Sequence, residues 1–149
     1  MIKDNLKLRG DLKIVLKDKN GNVKVERNEK NLIVNTGLAF ICSRMTDAAD
    51  NVMSHMAIGS NNSTPTATDT DLGTILGTRE ALDSTTHSAN TVIYVSSFEA
   101  GEGTGAVTEA GIFNAAATGT MLCRTTFPVV NKGADDTMVI TWTITLTAS

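Results

Sequence analysis

Thr137-Met138-Val139-Ile140-Thr141-Trp142-Thr143-Ile144-Thr145-Leu146-Thr147 decides the fold. Met138, Ile140, Trp142, Ile144 and Leu146 fall on one side of an extended chain, and Thr137, Thr141, Thr143, Thr145 and Thr147, joined by Val139, fall on the other. Successive strand residues point to opposite faces, so the stretch is a strand with one apolar and one hydroxyl-bearing face. A slip of one residue would turn every large apolar side chain out of the core. Burial of each is worth about 1.5–3 kcal/mol, so the slipped register is excluded and this strand is a core element. Its threonine face is either wet or paired across a neighbouring strand or subunit.

Upstream, the same period recurs between turn signals. Thr91–Phe98 is rich in β-branched and aromatic residues, Ala106–Phe113 is the next strand, and Thr120–Phe127 is another, stopped by Pro128. The Gly101–Gly105 stretch, Asn114–Gly119 and Asn131–Asp136 supply the turns. Near the start, Leu12, Ile14 and Leu16 share one face of a strand over Asp11–Lys17. Asn20-Gly21 turns the chain into a return strand over Val23–Arg27, because both residues tolerate positive φ. Ser54–Ile58 is a short strand, Ser60–Thr68 a polar loop, Asp69–Leu76 admits one helical turn, and Arg79–Ser84 is a further short strand.

One helix is expected. Thr36 caps it, and Leu38, Ile41, Cys42 and Met45 form its apolar stripe at i, i+3, i+4 and i+7. It is too short to stand alone and must pack on a sheet. The chain of 149 residues, 41% apolar and 19% charged, fits one soluble domain that needs no disulfide or metal staple. The reading is an all-β, jelly-roll-like β-sandwich over residues 11–149, preceded by an extended N-terminal arm over residues 1–10.

Charge is unevenly placed. Residues 1–30 carry nine of the 13 Lys/Arg and five acids, whereas residues 31–149 carry four basic and 11 acidic groups. Such a layout is either a solvated hairpin with lysine-protected edges or a basic arm that docks on an acidic partner. On the second reading Lys3, Lys7, Arg9, Lys13 and Lys17 are the partner-binding residues, and a sister subunit is one candidate partner. A net charge of −3 argues against a surface that tracks nucleic acid. No apolar run approaches the ~18 residues of a membrane span, and the polar start is not expected to be a secretory signal.

No catalytic, cofactor or metal site is expected. Cys42 and Cys123 lie 81 residues apart, fit no metal or redox spacing, and read as small buried hydrophobes. His55 and His87 have no partner at metal spacing, and Ser54-His55 are adjacent, so a strand would point them apart. Asn61, Asn62, Asp69 and Asp71 do not match a calcium loop and read as turn formers. Glu99, Glu102 and Glu109 could pair as glycosidase carboxylates, but one Trp and one Tyr give little platform for a sugar ring. The glycines at 101, 103 and 105 lack the lysine and the helix of a phosphate loop.

The order of several motifs carries a resemblance. They are Asn31-Leu32-Ile33-Val34-Asn35-Thr36-Gly37-Leu38, Met53–Gly59, Leu72-Gly73-Thr74, Phe98–Gly105, Glu109–Asn114, and Met121–Gly133 with the alternating threonine strand. The chain resembles, over roughly residues 10–147, a family of small structural proteins of tailed bacteriophages, tail-fibre-like or capsid cement (decoration) proteins. The resemblance implies a jelly-roll-like fold, self-association as a homodimer or homotrimer, and no enzyme activity. It further implies the major capsid protein as partner on the outer capsid surface of a virion assembled in the host cytoplasm. Nucleic acid, membrane and small-molecule substrate are not expected as partners. A tail, baseplate or fibre-attachment component is the alternative, and a carbohydrate-binding or hydrolytic module a third reading of a different class.

Overall fold

The computed structural model describes residues 5–46 and 50–148. Lys3 therefore lies outside the described residues. The elements in chain order are β1 (Leu6–Lys17), β2 (Val23–Lys30), β3 (Leu32–Ile33), α1 (Asn35–Ser43), β4 (His55–Gly59), β5 (Glu80–Ala81), β6 (Ser84–Ser88), β7 (Thr91–Phe98), β8 (Gly105–Phe113), β9 (Met121–Lys132) and β10 (Thr137–Ala148). They form two five-stranded antiparallel sheets, β2-β1-β10-β7-β6 and β3-β9-β8-β4-β5, packed as a β-sandwich.

The core lies between the sheets. Leu12, Ile14 and Leu16 of β1, Tyr94 and Phe98 of β7, and Met138, Ile140, Trp142 and Ile144 of β10 come from the first. Met56, Ile58, Ala110, Ile112, Cys123, Phe127 and Val130 face them from the second. The decisive strand sits in the middle of its sheet with β1 on one side and β7 on the other. Its four central apolar residues are buried as the alternation requires, and Leu146 is half-buried where the sandwich ends. Trp142 is fully buried, and its indole N–H donates to Asn31 Oδ1 at 3.1 Å.

Several boundaries differ from the expectation. Residues 6–10 are not set apart from the sheet: they are the first part of β1 and pair with β10 from Leu6↔Ala148 to Gly10↔Ile144. The reason is the length of β10, whose twelve residues offer a ladder past the point where β2 ends. Pro128 does not stop β9. It lies where the β8·β9 register jumps from Val107↔Val130 to Glu109↔Thr126, a bulge that requires no N–H from proline. Asp69–Leu76 forms no helical turn and is irregular, tied to β4 by a bridge between Gly59 and Ile75. The expected strand over Arg79–Ser84 divides, because the chain passes there from one sheet to the other through β5 and β6.

The helix forms, but it turns a different face inward. Val34 occupies the cap position without a side-chain cap bond, and Thr36 Oγ1 instead donates to the Met121 carbonyl at 2.8 Å. Gly37 and Phe40 are the buried positions; of the expected stripe Ile41 packs half-buried against the core, whereas Leu38, Cys42 and Met45 are exposed. A Cβ on Gly37 would stand 2.0 Å from the Leu122 carbonyl oxygen. The helix approaches β9 backbone to backbone at that point, and this approach, rather than the stripe of largest side chains, sets its rotation.

Candidate functional site

The two outer faces of the sandwich are unlike. The outer face of the second sheet is covered by the 60–79 segment, which buries Ala57, Leu72, Phe113 and Met121 in a second small apolar cluster with Val34. Glu109 of β8 holds this cover in place. Its fully buried carboxylate accepts N–H bonds from Gly73 (2.8 Å, Oε1), Thr74 (2.8 Å, Oε2) and Asn61 (3.0 Å, Oε2). Arg124 Nε donates to the same group at 3.1 Å, and Arg124 Nη1 donates to Asp69 at 3.0 Å and to the Ser63 carbonyl at 3.2 Å. Burial pushes the Asp69 carboxyl up, but the Thr66 N–H and hydroxyl and the Arg124 guanidinium outweigh it and hold the group below its ordinary value. Gly59 leaves the room: a Cβ there would lie 2.3 Å from the Thr74 carbonyl oxygen and 2.5 Å from Glu109 Oε2. Arg79 adds a second clamp, stacked 3.6 Å over Phe113 and donating to the carbonyls of Ala115 and Thr118.

Sequence reasoning placed Glu109 among possible hydrolytic carboxylates and did not find this latch. A signal was present. Glu109 and Arg124 are lone charges inside apolar strand runs, and charges there are retained only when paired and hydrogen-bonded. The three glutamates do not converge. Glu102 accepts the Glu99 N–H, Glu99 accepts the Thr137 hydroxyl, and Glu109 is buried under the 60–79 cover. Asn61 and Asp69 serve local turns through the N–H groups of Ser63 and Thr66.

One adjacency behaves otherwise than expected. Ser54 precedes β4 and escapes its alternation, so its Oγ lies 2.8 Å from His55 Nδ1. Among the described residues no carboxylate bonds the other ring nitrogen. The His87 ring bonds the Ala89 carbonyl at 2.8 Å. Cys42, expected in the core, is exposed because the helix is rotated, whereas Cys123 is buried and its thiol is pushed well up by that burial. Among the described residues no group of three His, Cys, Asp or Glu is placed to hold a metal.

The outer face of the first sheet is open. Among the described elements none packs across it. The registers align Thr141 with Val95 and Ser84, Thr143 with Ile93 and Thr86, and Thr145 with Thr91 and Ser88. This three-strand area of Thr, Ser, Val and Ile carries no charged side chain. On its other side β1 contributes Lys7, Arg9, Asp11, Lys13, Val15 and Lys17, opposite Thr147, Thr145, Thr143, Thr141, Val139 and Thr137 respectively. Four of the five basic residues singled out in sequence are thus brought to one row. Arg9 and Lys30 both pair with Asp11, at 2.7 and 2.9 Å, and Lys13 pairs with Glu26 at 3.2 Å. Slight burial pushes Asp11 up, but Lys30 and Arg9 outweigh it and hold the group low. Among the described residues Lys7 and Lys17 have no ion-pair partner. The first sheet thus leaves uncovered a face of short hydroxyl and β-branched side chains bordered by a row rich in basic residues.

Comparisons with protein-family models, with curated proteins and with solved structures find no match.

Proposed function

We propose that this chain is a non-enzymatic structural protein of a tailed-bacteriophage virion. Within the virion we place it as a capsid cement protein that seats between capsomers of the major capsid protein, on the outer capsid surface. The motif order over residues 10–147 supports the virion reading. The observation that carries the contact role is the open outer face of the first sheet, with Thr141, Thr143, Ile93 and Val95 at its centre and Lys7, Arg9, Lys13 and Lys17 along its border.

The physics is additive. Packaged DNA pushes a thin shell outward, and contacts between capsomers are where it yields. A rigid domain that buries area on two neighbours adds interface free energy at those points. An interface of roughly 1,600 Å2 supports micromolar or tighter binding when its centre is well packed. Many copies on one shell act together, so modest affinity at each site is enough. Small side chains on a pleated face lose little rotamer freedom on contact, which favours a broad interface over a deep one.

The test is occupancy of expanded capsids by purified protein, with Thr143→Arg and Val95→Arg variants that fold normally. Each places a long charged side chain in the middle of the face, and loss of bound copies is expected. Retention of full occupancy by both variants excludes this face. Copies per virion, counted against the major capsid protein, separate shell from tail: on the order of hundreds fits cement, and on the order of tens fits the tail or baseplate alternative.

A further inference from the structure

The first sheet has an edge where its main chain pairs with no other described residue. β1 pairs with β10 from Leu6 to Lys17, whereas its pairing with β2 starts only at Asp11↔Lys30. Beyond Lys30 the chain leaves for the other sheet, and the Asn31 N–H donates to the Gly10 carbonyl at 3.2 Å. Gly10 therefore turns its main-chain groups to the β2 side. By the period of two, Leu8 and Leu6 turn theirs to the same side, where no described strand lies.

The side chains on this edge sort by chemistry. Leu8 shares the inner face with Leu146, its partner in the ladder, and Leu6 follows it at 62% exposure. Leu146 also lines an apolar cleft of about 210 Å3 with Phe40, Ile41, Tyr94, Leu122 and Ile144, under the end of α1. Lys7 and Arg9 lie on the outer face. There Arg9 and Lys30 share one carboxylate, Asp11, and Lys7 has no ion-pair partner among the described residues.

We infer that the Leu6–Arg9 edge of β1 is an acceptor for an added strand, and that its occupant is an extended segment of a partner protein in which acidic and apolar residues alternate. The occupant's main chain continues the ladder, as in other strand-addition complexes. Its apolar residues extend the inner row of Leu6 and Leu8. Its acidic residues fall directly opposite Lys7 and Arg9, with Cβ atoms about 4.5–5.5 Å apart, where opposite charges stabilise a pair. The same rule disfavours a second copy in the register that pairs the whole Leu6–Gly10 stretch. Antiparallel self-pairing centred on Leu8 would set Lys7 directly opposite Arg9 of the other chain, at both ends of the contact. The inference is independent of where in a virion the protein sits.

The experiment uses the full chain and two short fluorescent peptides, one alternating glutamate with valine and one alternating lysine with valine. The glutamate peptide is expected to bind, to protect the amide hydrogens of Leu6 and Leu8 from exchange, and to weaken several-fold as salt rises from about 50 to 200 mM. Leu8→Pro removes a donor that the β10 ladder does not use and should weaken binding at least tenfold, against a smaller loss for Leu8→Ala. Lys7→Glu should weaken the glutamate peptide whether or not Leu8→Pro folds normally. Equal binding of the two peptides, no binding at all, or binding without protection at Leu6 and Leu8 overturns the inference. So does a concentration-dependent dimer abolished by Leu8→Pro, which would make a second copy the occupant.

Discussion

Glu109→Gln tests what holds the covered face together. The side chain keeps its shape, but one carboxylate oxygen becomes an NH2 donor. Oε2 accepts from the Asn61 and Thr74 N–H groups, and Oε1 accepts from Gly73 N–H and Arg124 Nε. Whichever way the amide turns, two donors lose their acceptor and face another donor: the part-buried Gly73 N–H with the buried Arg124 Nε, or the part-buried Asn61 and Thr74 N–H groups. Each orphaned donor costs about 1–3 kcal/mol, giving about 2–6 kcal/mol for the pair. Removal of one member of a buried ion pair gives a similar figure, about 3–5 kcal/mol. Against a total stability of roughly 5–15 kcal/mol, this is a large fraction. Urea unfolding followed by the fluorescence of the single buried tryptophan, Trp142, is the assay. With a slope of about 2 kcal/mol per M, the midpoint should fall by roughly 2 M. Hydrogen exchange adds a local readout: the amides of Asn61, Gly73 and Thr74 should lose protection first, while those of β10 follow global unfolding. A stability loss under about 1 kcal/mol with those amides still protected would refute the latch.

Three further outcomes follow from the same structure. Asp69 and Asp11 are held below the ordinary aspartate value of 3.8, so the unfolded chain binds more protons in the acid range. Their contribution is complete above that value and lost as pH falls through the lower folded values; a urea midpoint that stays flat from about pH 5 to pH 2 would contradict it. The single tyrosine, Tyr94, is pushed up from 10.0 to about 12 by burial, with Cys123 adding to the shift. Its contribution is complete below the ordinary value and lost as pH rises towards the folded one, so tyrosinate absorbance should appear late and together with unfolding. A thiol reagent should modify Cys42 at once and Cys123 only after denaturant is added, because one is exposed and the other buried; two equally fast thiols would contradict the packing of β9.

The strands of the core were legible because their period is local. Met138, Ile140, Trp142 and Ile144 alternate with Val139, Thr141 and Thr143, and only one register buries them whatever the rest of the chain does. The same holds for Leu12, Ile14 and Leu16 and for Thr91–Phe98, where local pattern and observed element coincide. The turn after β1 forms where Asn20-Gly21 places it, but only Gly21 of the two has positive φ, and Asp18 Oδ1 holds the loop by accepting the Asn20 and Asn22 N–H groups. The row of basic residues was half legible: odd spacing puts Lys7, Arg9, Lys13 and Lys17 on one side of a strand, but not which neighbours share that side.

Tertiary structure decided the rest, because each remaining feature depends on a partner distant in sequence. The helix rotation is set by the approach of Gly37 to the Leu122 carbonyl, not by its own apolar stripe, and so Cys42 is outside. Pro128 is tolerated inside β9 because the pairing with β8 bulges there. Glu109 becomes a latch only when Arg124 lies on the neighbouring strand and the 60–79 segment folds over both. A periodicity states which residues share a face. Which face is covered, and by what, is fixed by contacts that no local pattern contains.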